Sequence, residues 1–190
     1  MTSRKKQLLD RALADLLRSG VAKLSLRPLA AHLGTSPRML MFHFKSKEGL
    51  MKEIMNELHA RMLASFRKMA SAHAANSRDA LLMRFWQWAT AKQNFPYLRL
   101  LYETQIIAAQ NPAEYGRYLK HMSSDWREDT LHYLEKSIRT DSIATLCVAV
   151  FDGLLLELMC TGDRRRLTRA LDEFITMSRK ARKLKNLSNH

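Results

Sequence analysis

The chain has 190 residues, 46% hydrophobic and 26% charged, with only 6 Gly and 4 Pro. That composition excludes a loop-rich β architecture and a disordered linker protein and points to an all-α fold built from good helix formers. A net charge of +14 favours polyanionic partners, nucleic acid first and an anionic membrane surface second. The charge is uneven: residues 1–52 hold 11 Lys and Arg against 3 acids, a net of +8, and the rest of the chain carries +6.

Leu8, Leu9, Ala12, Leu13, Leu16 and Leu17 form one apolar stripe and predict a first helix that stops near Ser19-Gly20. Ser25 caps a short second helix with a core face of Leu26, Leu29, Ala30 and Leu33, and Pro28 is tolerable in its first turn. Gly34 ends it and Thr35 makes the turn. Ser36 then caps a third helix, and Pro37 takes the first helical position, where a missing N–H costs nothing. This helix is brief, ending around His43-Phe44, and the three together make a helix-turn-helix unit. A fourth helix from about Lys47 to Ser71 carries Leu50, Ile54, Leu58, Met62, Phe66 and Met69 on one face. No Pro or Gly-rich stretch precedes it. A continuous helix therefore joins an N-terminal unit, residues 1–49, to a larger helical unit, residues 50–190.

Ser77 opens a fifth helix, and Asn94 with Pro96 a sixth. Asn111, Pro112 and Glu114, as cap, first-turn proline and N3 acid, open a seventh. Thr140 or Asp141 begins an eighth that Gly162 terminates. Asp163 caps a ninth running to about Lys183, with Arg179–Lys185 expected as a frayed, solvated tail. The expected architecture is all-α with about nine helices. The eighth is apolar nearly all round, with Leu146, Val150, Leu154 and Leu158 on one side and Val148, Phe151, Leu155 and Met159 filling others, so it needs partners on every side. Asp152 and Glu157 interrupt it, which favours a buried helix over a membrane span. Cys147 and Cys160 fall about 220° apart around its axis. They can neither pair nor share a metal, and are expected as small buried residues in a reducing cytosol. The N-terminus lacks the apolar stretch of a signal peptide.

Residues 26–51, LRPLAAHLGTSPRMLMFHFKSKEGLM, resemble the DNA-binding signature of the TetR/AcrR regulators. That signature runs from a capped second helix through an aromatic-rich recognition helix to a Phe-x-x-Lys-Glu-x-Leu segment, here Phe44, Lys47, Glu48 and Leu50. The resemblance implies phosphate contacts by His43 and Lys47, an effector pocket among helices five to eight, and a dimer formed by the last two helices. It also marks one departure: the family usually has Tyr where Met41 stands, and Met41 offers apolar contact with a thymine methyl instead of a hydrogen bond.

The residues themselves support the same surface. Arg38, in the first turn of the recognition helix, suits bidentate guanine contact, with phosphate as its alternative. Thr35 and Ser36 offer hydroxyl or N–H groups to phosphate at a helix N-terminus. Arg27 opposes the dipole of its own helix, a local cost that a phosphate partner would explain. Met39 and Phe42 complete the expected DNA-binding set. Packing with Phe44 against the first helix is the alternative for His43, and Leu40 and Phe44 are assigned to the core.

For the effector pocket the candidates are Phe85, Trp86, Trp88, Tyr102, Glu103, Trp126, Phe151 and Asp152, with the two acids as anchors for a cationic or amphipathic ligand. Filling the core is the alternative for the aromatics, and pairing with Arg or His for the acids. Leu146, Val150, Leu154, Leu158, Leu167, Leu171 and Phe174 are the expected dimer face. There is no phosphate-binding Gly loop, metal-spaced Cys pair or catalytic Ser/His/acid context, so no cofactor, metal or enzymatic activity is expected. The expectation is a cytoplasmic, ligand-responsive repressor that binds a palindromic double-stranded operator as a homodimer, with no membrane partner. The competing expectation is a basic helical protein that binds anionic membrane or nucleic acid without sequence specificity; the spacing of the helix-turn-helix argues against it.

Overall fold

A computed structural model describes residues 3–22, 24–72, 78–134 and 136–187. Among these the elements are α1 (Ser3–Ser19), α2 (Leu26–His32), α3 (Pro37–Phe44), α4 (Lys47–Ser71), α5 (Arg78–Ala89), α6 (Phe95–Gln110), α7 (Pro112–Tyr133), a 3-10 turn (Lys136–Ile138), α8 (Asp141–Thr161) and α9 (Arg164–Leu187). They pack as two compact units, Met1–Ser65 with Lys92–Asp125 and Phe66–Ala91 with Trp126–His190. α4 and α7 each run through both. Division by packing thus cuts the chain elsewhere than the boundary expected at residue 49, because most of α4, all of α6 and about two-thirds of α7 pack with the helix-turn-helix.

In the first unit, the stripe of α1 (Leu8, Leu13, Leu16) meets Leu33, Leu40, Leu50, Ile54, Leu58 and Leu100 in a fully buried core. Truncating any of these to Ala would cost about 2–5 kcal/mol, because the cavity adds to the lost transfer energy. Polar ties lace α1 to α4 at the rim: Lys5 with Glu53, Lys6 with Glu57, and Asp10 with Arg61. His59 on α4 meets Asp125 on α7 at 2.8 Å.

In the second unit, Trp86, Phe151, Leu155, Leu158, Leu167, Leu171 and Ile175 form the core of α5, α8 and α9. The indole N–H of Trp86 donates to Thr168 Oγ1 at 2.8 Å, satisfying the one polar atom that its burial would strand.

Several helix ends differ from the sequence reading. Ser25 has extended cap geometry but makes no side-chain cap bond, and Asn94 lies in the helical region. Asn111 closes α6 as well as opening α7: its Nδ2 donates to Ile107 O at 2.9 Å, while its carbonyl accepts the Tyr115 N–H at 3.0 Å. Thr140 and Asp163 do cap α8 and α9, accepting from the N–H groups of Ile143 and Arg166. The expected frayed tail is helical: α9 continues to Leu187, and Arg179 Nε donates to Asp79 Oδ2 at 3.0 Å. Cys147 is buried as expected but Cys160 is exposed. Ser77, expected to open α5, lies outside the described residues.

Candidate functional site

The turn between α2 and α3 is built from local chemistry. Gly34 takes φ +59, the left-handed backbone that side chains disfavour, and its N–H bonds Ala31 O while Thr35 N–H reaches Ala30 O. Ser36 Oγ then accepts from Met39 N–H at 3.2 Å, starting α3 at Pro37. This sets the roll of α3. Leu40 and Phe44, at 1% and 3% exposure, anchor it in the core, which turns Arg38, Met39 (40%), Met41 (39%) and Phe42 (66%) outward.

Arg27 and Ser36 are exposed on the same module, Thr35 is half-buried, and Lys47 stands exposed in the first turn of α4. His43 is half-buried, its ring edge-on to Phe42 at 5.2 Å and to Phe44 at 6.4 Å, and its Nε2 is buried without a hydrogen-bond partner. It packs as much as it presents. Lys45, which sequence reasoning passed over, adds a cation: its Nζ donates to Phe42 O at 3.3 Å and lies 5.7 Å from the Phe42 ring.

α3 and α4 are joined by Lys45 and Ser46 alone. Lys45 adopts φ +70, and Ser46 Oγ accepts from Gly49 N–H at 2.9 Å. A Cβ on Gly49 would stand 2.1 Å from Phe44 O, so only glycine permits this approach of α4 to the end of α3. The carboxyl of Glu48 lies below its ordinary range, because a backbone N–H and the Ser46 hydroxyl donate to it at the positive end of α4.

The expected effector residues separate. Phe85, Trp88, Trp126 and Phe151 gather in the second unit around Phe66, which meets Phe85, Trp88, Trp126 and Tyr133 at ring distances of 5.4, 6.0, 5.6 and 5.7 Å. Phe85 meets Phe151 at 4.5 Å. The sequence pattern marks Phe66 as a core residue of its helix and gives no signal for Tyr133. Trp86 is spent on Thr168, and Tyr102 and Glu103 belong to the first unit. Glu103 is an intraprotein acceptor, taking the Val21 N–H at 2.9 Å and facing Arg99 Nε at 3.5 Å. Asp152 is exposed on α8 rather than set among rings. The acid beside the rings is Asp129, buried one turn from Trp126 and Tyr133 and held by Arg67 Nε and Nη2 at 2.8 and 3.0 Å. Burial and then the Asp129 charge push the Tyr133 phenol up, against the opposing charge of Arg67.

The stripe expected to pair two chains also divides. Leu158, Leu167 and Leu171 are buried inside the chain, because the inward face of α8 is Ala144, Cys147, Phe151, Leu155 and Leu158. Of the expected set, Leu146 is 51% exposed, and Val150, Leu154 and Phe174 are half-buried. Leu156 and Met177 add exposed apolar surface that the sequence reading omitted. α8 is long and apolar enough to cross a membrane by composition, yet only 28% of its most apolar window is buried in the chain. Among the described residues no group of three His, Cys, Asp or Glu is arranged to hold a metal.

A capped turn, a short helix anchored by two side chains and facing outward with the rest, and a fringe of cations define a helix-turn-helix DNA-binding protein. Residues 8–54 match the family model described as bacterial regulatory proteins, tetR family. The match covers the helix-turn-helix and the first turns of α4, and marks this module as one of the TetR type. Its fold is similar to that of a transcriptional regulator from Rhodococcus sp. Rha1, at 18% identity, 93% coverage of this chain and 95% of that one, with a TM-score of 0.76. It is also similar to the multidrug binding protein EbrR. The EbrR complex with imidazole has 25% identity, coverage of 91% and 90%, and a TM-score of 0.63. The complex with ethidium has 24% identity, coverage of 90% and 97%, and a TM-score of 0.67. None of the curated proteins matches this chain by sequence.

Proposed function

We propose that this chain is a cytoplasmic repressor that binds a palindromic operator as a homodimer and is released by a small organic effector. The observation that carries the reading is the roll of α3, which buries Leu40 and Phe44 and leaves Arg38 and its neighbours free to enter a major groove. Arg27, Ser36, Lys45 and Lys47 are the phosphate contacts, the Thr35 hydroxyl supplements them, and Arg38 reads a base. Residues 1–49 act on DNA; residues 50–190 carry effector binding and dimerisation.

A second copy of the chain covers the exposed face of α8 through Leu146, Val150 and Leu154, with Phe174 and Met177 of α9 at its edge. A lipid would meet the exposed Asp152 on that helix, at a cost that a protein partner avoids. The effector lies among Phe66, Phe85, Trp88, Trp126 and Tyr133, where ring faces and the Asp129 carboxylate suit a planar organic cation. EbrR is a multidrug binding protein with an ethidium complex, which makes ethidium the first probe. α4 runs without a break from the connector after α3 to Phe66 and Arg67, so a ligand that shifts these residues acts on the helix that carries the recognition module. Selection of duplexes from a random-sequence pool tests the reading. It expects an inverted repeat bound far more tightly than scrambled DNA and released by ethidium; equal affinity for both duplexes rejects it.

A further inference from the structure

α3 is eight residues long, yet it holds three of the seven large apolar side chains that stand exposed among the described residues: Met39, Met41 and Phe42. Folding does not require them there, since Leu40 and Phe44 supply the buried anchor. At 100° per residue Arg38 and Phe42 lie along one ridge of the helix, with Met39 on one flank and Met41 on the other. Arg38 stands within this apolar surface, Lys45 Nζ lies 5.7 Å from the Phe42 ring, and Arg27 and Lys47 are exposed on the flanking helices α2 and α4. Its occupant must therefore be polyanionic outside and apolar at the point of contact.

Duplex DNA meets both requirements. None of the three side chains carries a hydrogen-bond donor or a strong acceptor, so what they read on a base edge is apolar. Among the groups that the four base pairs present in the major groove, the apolar one is the 5-methyl of thymine. We propose that each operator half-site sets thymines against Met39, Met41 and Phe42, beside a guanine read by Arg38, and that the chain recognises these thymines through their methyl groups. The proposal rests on the reading of α3 as the operator-binding helix, and goes beyond it by naming the base chemistry that the helix selects.

The test uses the full chain and the tightest duplex selected from a random-sequence pool, resynthesised with deoxyuridine replacing thymidine one position at a time. Each replacement removes a methyl group and leaves base pairing and phosphates unchanged. The expected result is about two or three sensitive thymines per half-site, each weakening binding about fourfold, the factor that burying one methylene-sized group supplies. The triple variant Met39→Ala/Met41→Ala/Phe42→Ala should keep its helicity and its affinity for scrambled duplex, and should no longer distinguish thymidine from deoxyuridine. Indifference to deoxyuridine at every position, with sequence selection intact, overturns the methyl proposal and leaves the operator reading standing. Failure to select any sequence removes both. Loss of binding to phosphatidylserine vesicles by the triple variant, with duplex binding unchanged, would assign the face to lipid and overturn the proposal.

Discussion

Glu103 on α6 accepts the backbone N–H of Val21 at 2.9 Å, and so fixes the turn that follows α1 to a helix more than eighty positions away in sequence. The same carboxylate faces Arg99, whose Nη2 donates to Leu17 O at 3.2 Å. The end of α1 is thus held by two neighbouring side chains of α6. Glu103→Ala should lower stability by about 1–2 kcal/mol, because it strands a backbone donor. Thermal unfolding and ethidium titration would check this; ethidium binding should be unchanged, and a selective loss of it would return Glu103 to the effector site.

Lys47→Ala should weaken binding to every duplex alike and reduce the slope of log affinity against log salt by about one unit. Arg38→Ala should cost about 1–3 kcal/mol at one base position per half-site and relax preference there. Fluorescence anisotropy over 50–200 mM salt separates the two. Equal losses on selected and scrambled duplexes would make Arg38 a phosphate contact.

Arg67 occupies Asp129 as a cationic ligand would, through two parallel hydrogen bonds. Arg67→Met should therefore raise ethidium affinity, and Asp129→Asn should lower it by about tenfold, or 1.4 kcal/mol. Isothermal titration with ethidium and with a neutral aromatic of similar size gives the answer. Equal effects on both ligands would show that the pair only shapes the site.

Leu146 and Leu158 lie on the same helix with opposite exposure. Leu146→Glu should dissociate the dimer and leave the chain folded, whereas Leu158→Glu should unfold it by burying an unpaired charge. Sedimentation velocity and circular dichroism report the two outcomes. A Leu146→Glu protein that stays dimeric would move the interface off this face of α8.

Glu57 contributes a pH dependence. Burial pushes its carboxyl up, but hydrogen bonds from Lys6 at 2.5 Å and Arg61 at 2.8 Å outweigh that and bring it below the ordinary 4.5. A depressed folded value stabilises the protein above 4.5, and the contribution is lost as pH falls through it. The melting temperature should drop on acidification below that point, and Glu57→Gln should flatten the drop.

The helix-turn-helix was legible because its signals are local: Gly34, Ser36 and Pro37 act within one turn of where they stand, and the two ends of α4 fall at Lys47 and Ser71 as expected. The inward face of α8 was not legible, since periodicity carries no orientation in a helix that is apolar nearly all round. Asp129 sits in the polar sequence of α7 and resembles a solvated acid until Arg67, 62 residues earlier, is seen beside it. Glu103 was visible as a polar residue on an apolar helix, but its partner is a backbone N–H, which no sequence pattern marks. Charge was misread in one respect. α9 alone holds nine Lys and Arg against two acids, so residues 53–163 are nearly balanced and the positive field has two sources.

The connector between α3 and α4 has a mechanical consequence. Two residues, one of them at positive φ, and a glycine that allows van der Waals contact with the last carbonyl of α3 leave no slack between the helices. A longer link would absorb a small rotation of α4 in its own torsions. This one acts as a crank without play: an angular displacement of the first turn of α4 reappears undamped at Arg38 and Phe42, and these outward-facing side chains sweep an arc set by their distance from Gly49. Lengthening the link by even one residue would therefore change how a displacement of α4 reaches Arg38 and Phe42 while leaving the exposed face of α3 intact.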